Sequence, residues 1–394
     1  MHTSVVLFTM ILNVTVYLLL GVSTVAAFTA SPIRVRKATF LHSATGGEDD
    51  SSIQWDLFKK HHAKGSWKGV WTTYDYIGDV IDETVASVNL NYDESSDIIQ
   101  QTHTIVVGAK RADCATCFDS FETKELPVAK YTPTQLHKTR LGSVGMVNGP
   151  TLLRSGTMAT ELVLSHGDGR VRVVFQHAPV WKAGVEPGSC PPQGLKLFRT
   201  MISREALREE PPTMETEAAN PPTVGNPILY RGVPPFKWHK QWAGTSWTWG
   251  PQTGDRGWKI DEMEEADAWH GRATGDGPNV WNLRLPGGIL VQCPRVVSEG
   301  EAGICRLAWL SDDDTLTRIE AAIVALEPMY MDDDTLAGFH PPCLASFRCD
   351  YMKNVGELAY TPSFGEQDFV LPQDVDNVES QKSGIDAVRD ALKP

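Results

Sequence analysis

Few stretches of this chain place reactive side chains close enough together to act on one another. Cys114-Ala115-Thr116-Cys117 has the spacing of half a zinc site or of a dithiol redox pair. No second ligand pair with metal spacing lies nearby, and the motif sits in a turn-like stretch rather than opening a helix, so neither a metal nor a cofactor is expected. His103 shares a strand face with Ile99, Ile105 and Val107, and His177 shares one with Val171, Val173 and Phe175. Two imidazoles directed into a hollow interior could ligate a metal, a haem or a chlorophyll magnesium, or move a proton. The plainer reading is a core histidine hydrogen-bonded to a neighbour. His61-His62 reads as solvated, and the acidic runs Asp312 to Asp314 and Asp332 to Asp334 read as polar hairpin tips, lacking the glycine and distal glutamate of a calcium loop. There is no glycine-rich phosphate loop, no locatable Ser-His-Asp set and no nucleophile elbow, since Gly142-Ser143 lacks the second glycine. No catalytic residue is assigned.

The elements that must carry these residues are strands. The chain has 394 residues, 41% of them apolar and 22% charged, enough for two or three domains with real cores. Its net charge of −13, with no basic cluster beyond Arg34 to Lys37, argues against nucleic acid as a partner. Twelve tryptophans supply large rigid apolar area, and seven of them, from Trp238 to Trp281, crowd one region. Seven cysteines at irregular spacing imply no disulfide framework and fit a reducing or mixed compartment.

In "RVRVVFQH", Val171, Val173, Phe175 and His177 alternate with Arg170, Arg172 and Gln176. Hairpins are signalled at "SHGDGR", at "LPGGIL" and at Asp312 to Asp314. Between Glu209 and Pro235 seven prolines mark a linker. The expected layout is a first β unit over 52–208, a linker over 209–235, a second β unit over 236–365 and a polar tail over 366–394. Each unit has about eight short antiparallel strands, which make a closed barrel or a sandwich.

"GSWKGVW", Gly65 to Trp71, opens the first unit. On a strand Trp67, Gly69 and Trp71 share one face, so both indoles point inward. Gly65-Ser66-Trp67 on a first strand resembles the signature of the calycin superfamily, the lipocalins and their relatives. That resemblance implies a barrel whose floor the tryptophan closes, with an arginine of the last strand packed over it. In "GLKLFRTMIS" Arg199 lies among Leu195, Leu197 and Met201 and is the expected partner of Trp67. In the second unit Gly244 and Trp247 repeat the pattern with one extra residue, and Arg348 of "SFRCDYM" is the matching arginine. Taken together, these features resemble a two-barrel, lipocalin-like family of unknown function found in cyanobacteria and plastid-bearing eukaryotes. The resemblance implies an all-β fold of two antiparallel barrels joined by the Pro-rich linker, and supplies no catalytic residues.

At the N-terminus, Val5 to Val22 is largely apolar and small residues follow to Ala27, as in a signal peptide over 1–27; an uncleaved anchor is the alternative. Phe28 to Gly47 is rich in Ser, Thr, Arg and Lys without an acid. A transit-like segment over 28–47 behind a signal resembles the bipartite presequence of secondary plastids, which implies a plastid protein whose mature part is soluble, with possible thylakoid or protein contact. The leading expectation is a barrel that binds a hydrophobic small molecule such as a pigment, tetrapyrrole, carotenoid or lipid, lined by Trp71, His103, Phe175 and His177 in the first unit and by Trp249 and Trp281 in the second. The alternatives are a pigment-metabolism enzyme, since some calycins attach bilins or isomerise or de-epoxidise carotenoids, and a non-catalytic assembly factor whose barrels are filled.

Overall fold

In a computed structural model the described residues are 48–63, 65–111, 114–136, 139–153, 155–186, 192–208, 240–250, 258–265, 279–285, 287–312, 314–330 and 336–357. The signal and transit segments, the Pro-rich linker, the C-terminal tail, Trp238, Trp269, Asp332 to Asp334 and the side chains of Cys114 and Cys117 lie outside them.

A helix α1 (Glu48–Leu57), continued by a π-helical turn (Phe58–His62), precedes the strands. In chain order these are β1 (Gly65–Asp75), β2 (Val80–Asp93), β3 (Ile98–Arg111), β4 (Cys114–Tyr131), β5 (Thr139–Leu141), β6 (Gly145–Leu152), β7 (Met158–His166), β8 (Gly169–Val180) and β9 (Gly194–Arg208). They continue with β10 (Lys240–Trp249), β11 (Trp258–Glu265), β12 (Val280–Leu285), β13 (Ile289–Pro294), β14 (Val296–Val297), β15 (Ala302–Asp312), β16 (Thr315–Val324), β17 (Pro328–Tyr330), β18 (Leu336–Phe339) and β19 (Cys343–Glu357). The first sheet runs β4-β3-β2-β1-β9-β8-β7-β6-β5 with β14 added to β9, and the second runs β11-β10-β19-β16-β15-β13-β12. The fold is all-β and lipocalin-like in both halves, with the first sheet strongly curled.

Every strand has two faces, and the assignment of those faces decides the architecture. On the concave side of the first sheet Trp67, Trp71, Val88, Ile99, Ile105 and Leu141 form one cluster with Trp55 and Phe58 of the helical segment. The helix closes this end. Gln54 reads the unpaired edge of β5 as another strand would, donating to the Leu141 carbonyl at 3.1 Å and accepting from the Leu141 amide at 2.8 Å. Trp55 Nε1 reaches Asp97 at 2.9 Å in the β2–β3 turn. His62, read as solvated from the sequence, is buried beside Phe58, because the π-helical turn points it into the plug.

The convex side of β6 to β9 is not a surface. Leu162, Leu164, Val171, Val173, Phe175 and Ile202 form one continuous core with Trp281, Val291, Leu307, Ile319, Phe347 and Cys349 of the second sheet. The sheets touch closely: a Cβ on Gly145 would lie 2.5 Å from the Ile319 side chain, and one on Gly142 2.8 Å from that of Cys349. Backbone bonds cross as well, Leu197 donating to the Arg295 carbonyl at 2.8 Å. The two barrels are therefore fused back to back through the apolar faces of their strands.

The halves share a device at their first strands. An added Cβ on Gly69 would fall 2.2 Å from the Arg204 carbonyl oxygen of β9, and one on Gly244 would fall 2.0 Å from the Tyr351 carbonyl oxygen of β19. Each glycine follows a fully buried tryptophan by two residues, Trp67 and Trp242. The Trp-x-Gly of the second half is thus Trp242-Ala243-Gly244. This corrects the expectation for Trp247, whose opposite parity sends it to the core between the sheets.

Gly69→Ala forces the first and last strands of the barrel apart. It is expected to cost about 2–4 kcal/mol, measured by urea unfolding, whereas Gly167→Ala, with no atom within 4 Å of its added Cβ but a φ of +58°, costs about 1 kcal/mol.

Candidate functional site

The concave wall of the first sheet is polar where the sequence reading expected it to be apolar. Arg170 stands opposite Glu205 in the β8–β9 register, and Arg172 opposite Ser203. Glu205 is 2% exposed, a position no carboxylate holds without partners. It has four: Arg170 clasps Oε2, its Nε at 2.5 Å, while Oε1 accepts from Trp71 Nε1 at 3.0 Å, Ser203 Oγ at 3.1 Å and Arg172 Nη1 at 3.3 Å. Arg172 also grips Glu161, Nε to Oε1 at 2.9 Å, and Glu161 accepts from Asn148 Nδ2 at 3.2 Å. Two arginines and two carboxylates leave this patch neutral.

Burial alone would raise the Glu205 pKa, but Arg170 and Arg172 outweigh it and hold the group below its ordinary value. Burial lowers Arg170 to about 10 against the pull of Glu205. For Arg172 the two carboxylates overcome burial and raise it.

The guanidinium over Trp67 belongs to Arg170, 4.5 Å from the ring centroid, and Arg172 stands 5.5 Å from that of Trp71. The expectation for Arg199 is therefore corrected. Trp67 pairs with Leu207 and Asp75 with Arg199, so Arg199 lies 207 − 199 = 8 positions from the floor, about 27 Å along an extended strand. It instead donates to Gln176 and lies 5.2 Å from the Phe198 ring.

His103 faces the same interior. Its ring meets Trp71 edge-on, centroids 4.9 Å apart. Tyr131 donates to Gln101 Oε1 at 2.7 Å, which leaves the Gln101 amide nitrogen to donate to His103 Nε2 at 2.6 Å. An accepting Nε2 puts the proton of the neutral ring on Nδ1. Burial, and then Arg172 and Arg170, drive the His103 pKa well below 6.5, so the ring is neutral. Both His103 Nδ1 and Trp67 Nε1 are buried without a hydrogen-bond partner. Both residues stand opposite Val88, from its two flanking strands, and so lie at one level of the barrel.

The remaining expected residues lie elsewhere. Phe175 and His177 belong to the face of β8 that packs on the second sheet: Phe175 is fully buried in the shared core, and His177 Nε2 is 2.9 Å from the Pro294 carbonyl oxygen. Burial lowers the His177 pKa to about 4 despite that hydrogen bond. Trp281 is in the same core, and Trp249 packs against it with the Arg140 guanidinium 4.6 Å from its ring. The inward placement expected for these four is corrected, because the apolar faces of both sheets are used between them. Trp71 and His103 do line the barrel, and Gly65 starts β1 at φ +57°, a conformation glycine adopts readily.

Arg348 takes part in the second half's version of the clasp. Asp350, 1% exposed on β19, accepts from Arg318 Nε at 2.7 Å and Arg348 Nε at 2.9 Å. Arg170, Arg172, Glu161, Glu205 and Asp350 were missed from the sequence. The available signal was parity: arginines two apart on β8, and Glu205 on the same face of β9 as Arg199. Among the described residues no three His, Cys, Asp or Glu side chains converge so as to hold a metal ion.

Comparison with known proteins finds a family model that matches part of the chain. Residues 51–180 match the N-terminal domain of unknown function DUF3598. Among solved structures, a DUF3598 protein of unknown function from Nostoc punctiforme is similar over 77% of this chain and 99% of its own, at 14% identity and a TM-score of 0.43. An S-type phycobiliprotein lyase, CPES from Guillardia theta, is similar over 41% of this chain and 98% of its own, at 9% identity and a TM-score of 0.21. The curated proteins contain no match to the chain.

If the clasp on Glu205 organises the barrel, Glu205→Gln leaves two buried guanidinium groups short of charge and costs about 3–5 kcal/mol in urea unfolding. Arg199→Leu, remote from Trp67, costs about 1 kcal/mol or less. Because His177 is neutral in the fold, the stability tied to it is complete above pH 6.5 and is lost as pH falls towards about 4, read as a falling urea midpoint; His103, held well below 6.5 by burial and then by Arg172 and Arg170, acts in the same direction.

Proposed function

We propose that the first barrel is a receptor for a small molecule with a long, π-rich apolar body and a neutral hydrogen-bond acceptor: a pigment of the tetrapyrrole or oxygenated-carotenoid type. The observation that carries this reading is the pair of unpartnered N–H groups, Trp67 Nε1 and His103 Nδ1, at one level of an aromatic interior. A buried donor without an acceptor costs about 1–3 kcal/mol, a cost that an incoming carbonyl oxygen removes. Since Arg170 and Arg172 are matched by Glu205 and Glu161, the spare capacity is for a neutral oxygen rather than a carboxylate. Trp67 and Trp71 supply flat faces for a conjugated body.

The same proposal places the mature chain in a plastid as a soluble protein in contact with thylakoid or protein surfaces, on the strength of the segments 1–27 and 28–47. A fluorescent reporter carrying residues 1–47 is expected inside the plastid; its retention elsewhere contradicts the location.

Binding is tested with the full chain by absorption titration, using the dimethyl ester of a linear tetrapyrrole and a diketo carotenoid against β-carotene, which has no acceptor. The oxygenated pigments are expected to bind more tightly than β-carotene. Trp67→Phe and His103→Phe, which keep an aromatic ring and remove the N–H, should each weaken them about fivefold to tenfold. Equal binding by wild type and both variants, or a preference for β-carotene, contradicts the proposal.

A further inference from the structure

We infer that a second site lies outside the barrel, a cleft that receives an organic anion with an apolar body. It is lined by Tyr76, Lys196, Leu197, Asn279, Arg295 and Val296, encloses about 410 Å³, and shares no residue with the Glu205 clasp. Its volume is in the range of small-molecule pockets, roughly 300–1,000 Å³.

The fold holds the two cations of this cleft in place. Lys196 on β9 stands opposite Val296 of β14. Arg295 is fixed by its own backbone, its amide donating to the Asn279 carbonyl at 2.5 Å and its carbonyl accepting from Leu197 at 2.8 Å. The Asn279 side chain is occupied by the amide and carbonyl of Val296, both at 2.8 Å. Tyr76 then orients both charges: Arg295 Nη1 donates to its carbonyl at 3.2 Å, and Lys196 Nζ stands 5.3 Å from its ring centroid.

Neither cation meets a carboxylate among the described residues, and none of the six lining residues is acidic. The acid nearest in sequence, Asp75, spends Oδ1 on the amides of Ile77, Gly78 and Asp79, at 2.9 Å each. In a chain of net charge −13, two cations on one cleft that meet no carboxylate among the described residues form a local positive field that draws an anion and gives it a specific seat. The rest of the lining is Leu197, Val296, Tyr76 and Asn279, whose side chain is already bonded to Val296. Beside it Tyr76 is 47% and Ile77 63% exposed, so the ligand that fits carries a carboxylate or phosphate head on an apolar body.

The test is calorimetric titration of the full chain with submicellar decanoate and decyl phosphate, with decanol and inorganic phosphate as controls. Expected are saturable one-to-one binding of both amphiphilic anions, no competition by decanol or by inorganic phosphate at equal concentration, and a loss of about tenfold or more in a Lys196→Ala/Arg295→Ala variant. The variant should retain the wild-type circular dichroism spectrum and unfolding midpoint, both residues lying at the rim. His103→Phe, which alters the barrel interior, should leave decanoate binding unchanged. The inference is overturned if decanoate and decyl phosphate do not bind, if decanol binds as tightly, if inorganic phosphate displaces them, or if the double variant binds as wild type does.

Discussion

The packing of the two sheets through their apolar faces is the constraint from which the rest of this structure follows. Val171, Val173 and Phe175 of β8 meet Leu307, Ile319 and Phe347 across a core that belongs to neither half alone. Burial of side chains of this size is worth about 1.5–3 kcal/mol each, and the core counts more than twenty of them. A strand that gives its apolar face to such a seam has its other face left for the concave side. Arg170, Arg172 and Gln176 therefore point inward.

An inward arginine in a closed-off space needs a counter-charge, and the last strand of each half provides it. Glu205 answers Arg170 and Arg172; Asp350 answers Arg318 and Arg348. The repetition extends to the first strands, where Gly69 and Gly244 let the closing strands approach to a distance no side chain would permit. Buried ion pairs of this kind add little net stability but fix register, because a slip by one residue would leave each charge alone. A donor-rich, charge-balanced interior is what results, with Trp67 Nε1 and His103 Nδ1 as its unspent groups.

Much of this was legible in the sequence. Alternation marks the strands, the Gly-rich turns mark the hairpins, and the shared parity of Trp67, Gly69 and Trp71 puts both indoles on one face, where both are buried. The alternation in "RVRVVFQH" was equally plain, yet it fixes two faces without saying which is concave. In a lone barrel the apolar face is the inner one, which is where alternation by itself puts Phe175 and His177. Their true position depends on a partner sheet more than 100 residues away in the chain, which no local pattern encodes. Arg199 was misplaced for a related reason: β9 runs to Arg208, so the residue level with Trp67 is Leu207. In the second half the Gly-x-Trp order points to Trp247, whereas the fully buried indole is Trp242, whose glycine follows it rather than precedes it.

The shared core is tested most directly by separating the halves. Residues 48–208 expressed without the second sheet would expose the face built from Leu162, Leu164, Val171, Val173 and Phe175. This fragment is expected to aggregate or to unfold without a cooperative transition, and to become soluble and cooperative when co-expressed with residues 240–357. A monomeric fragment 48–208 that unfolds cooperatively by itself would contradict the account, since the first barrel would then own its core and Val171, Val173 and Phe175 would need no partner sheet.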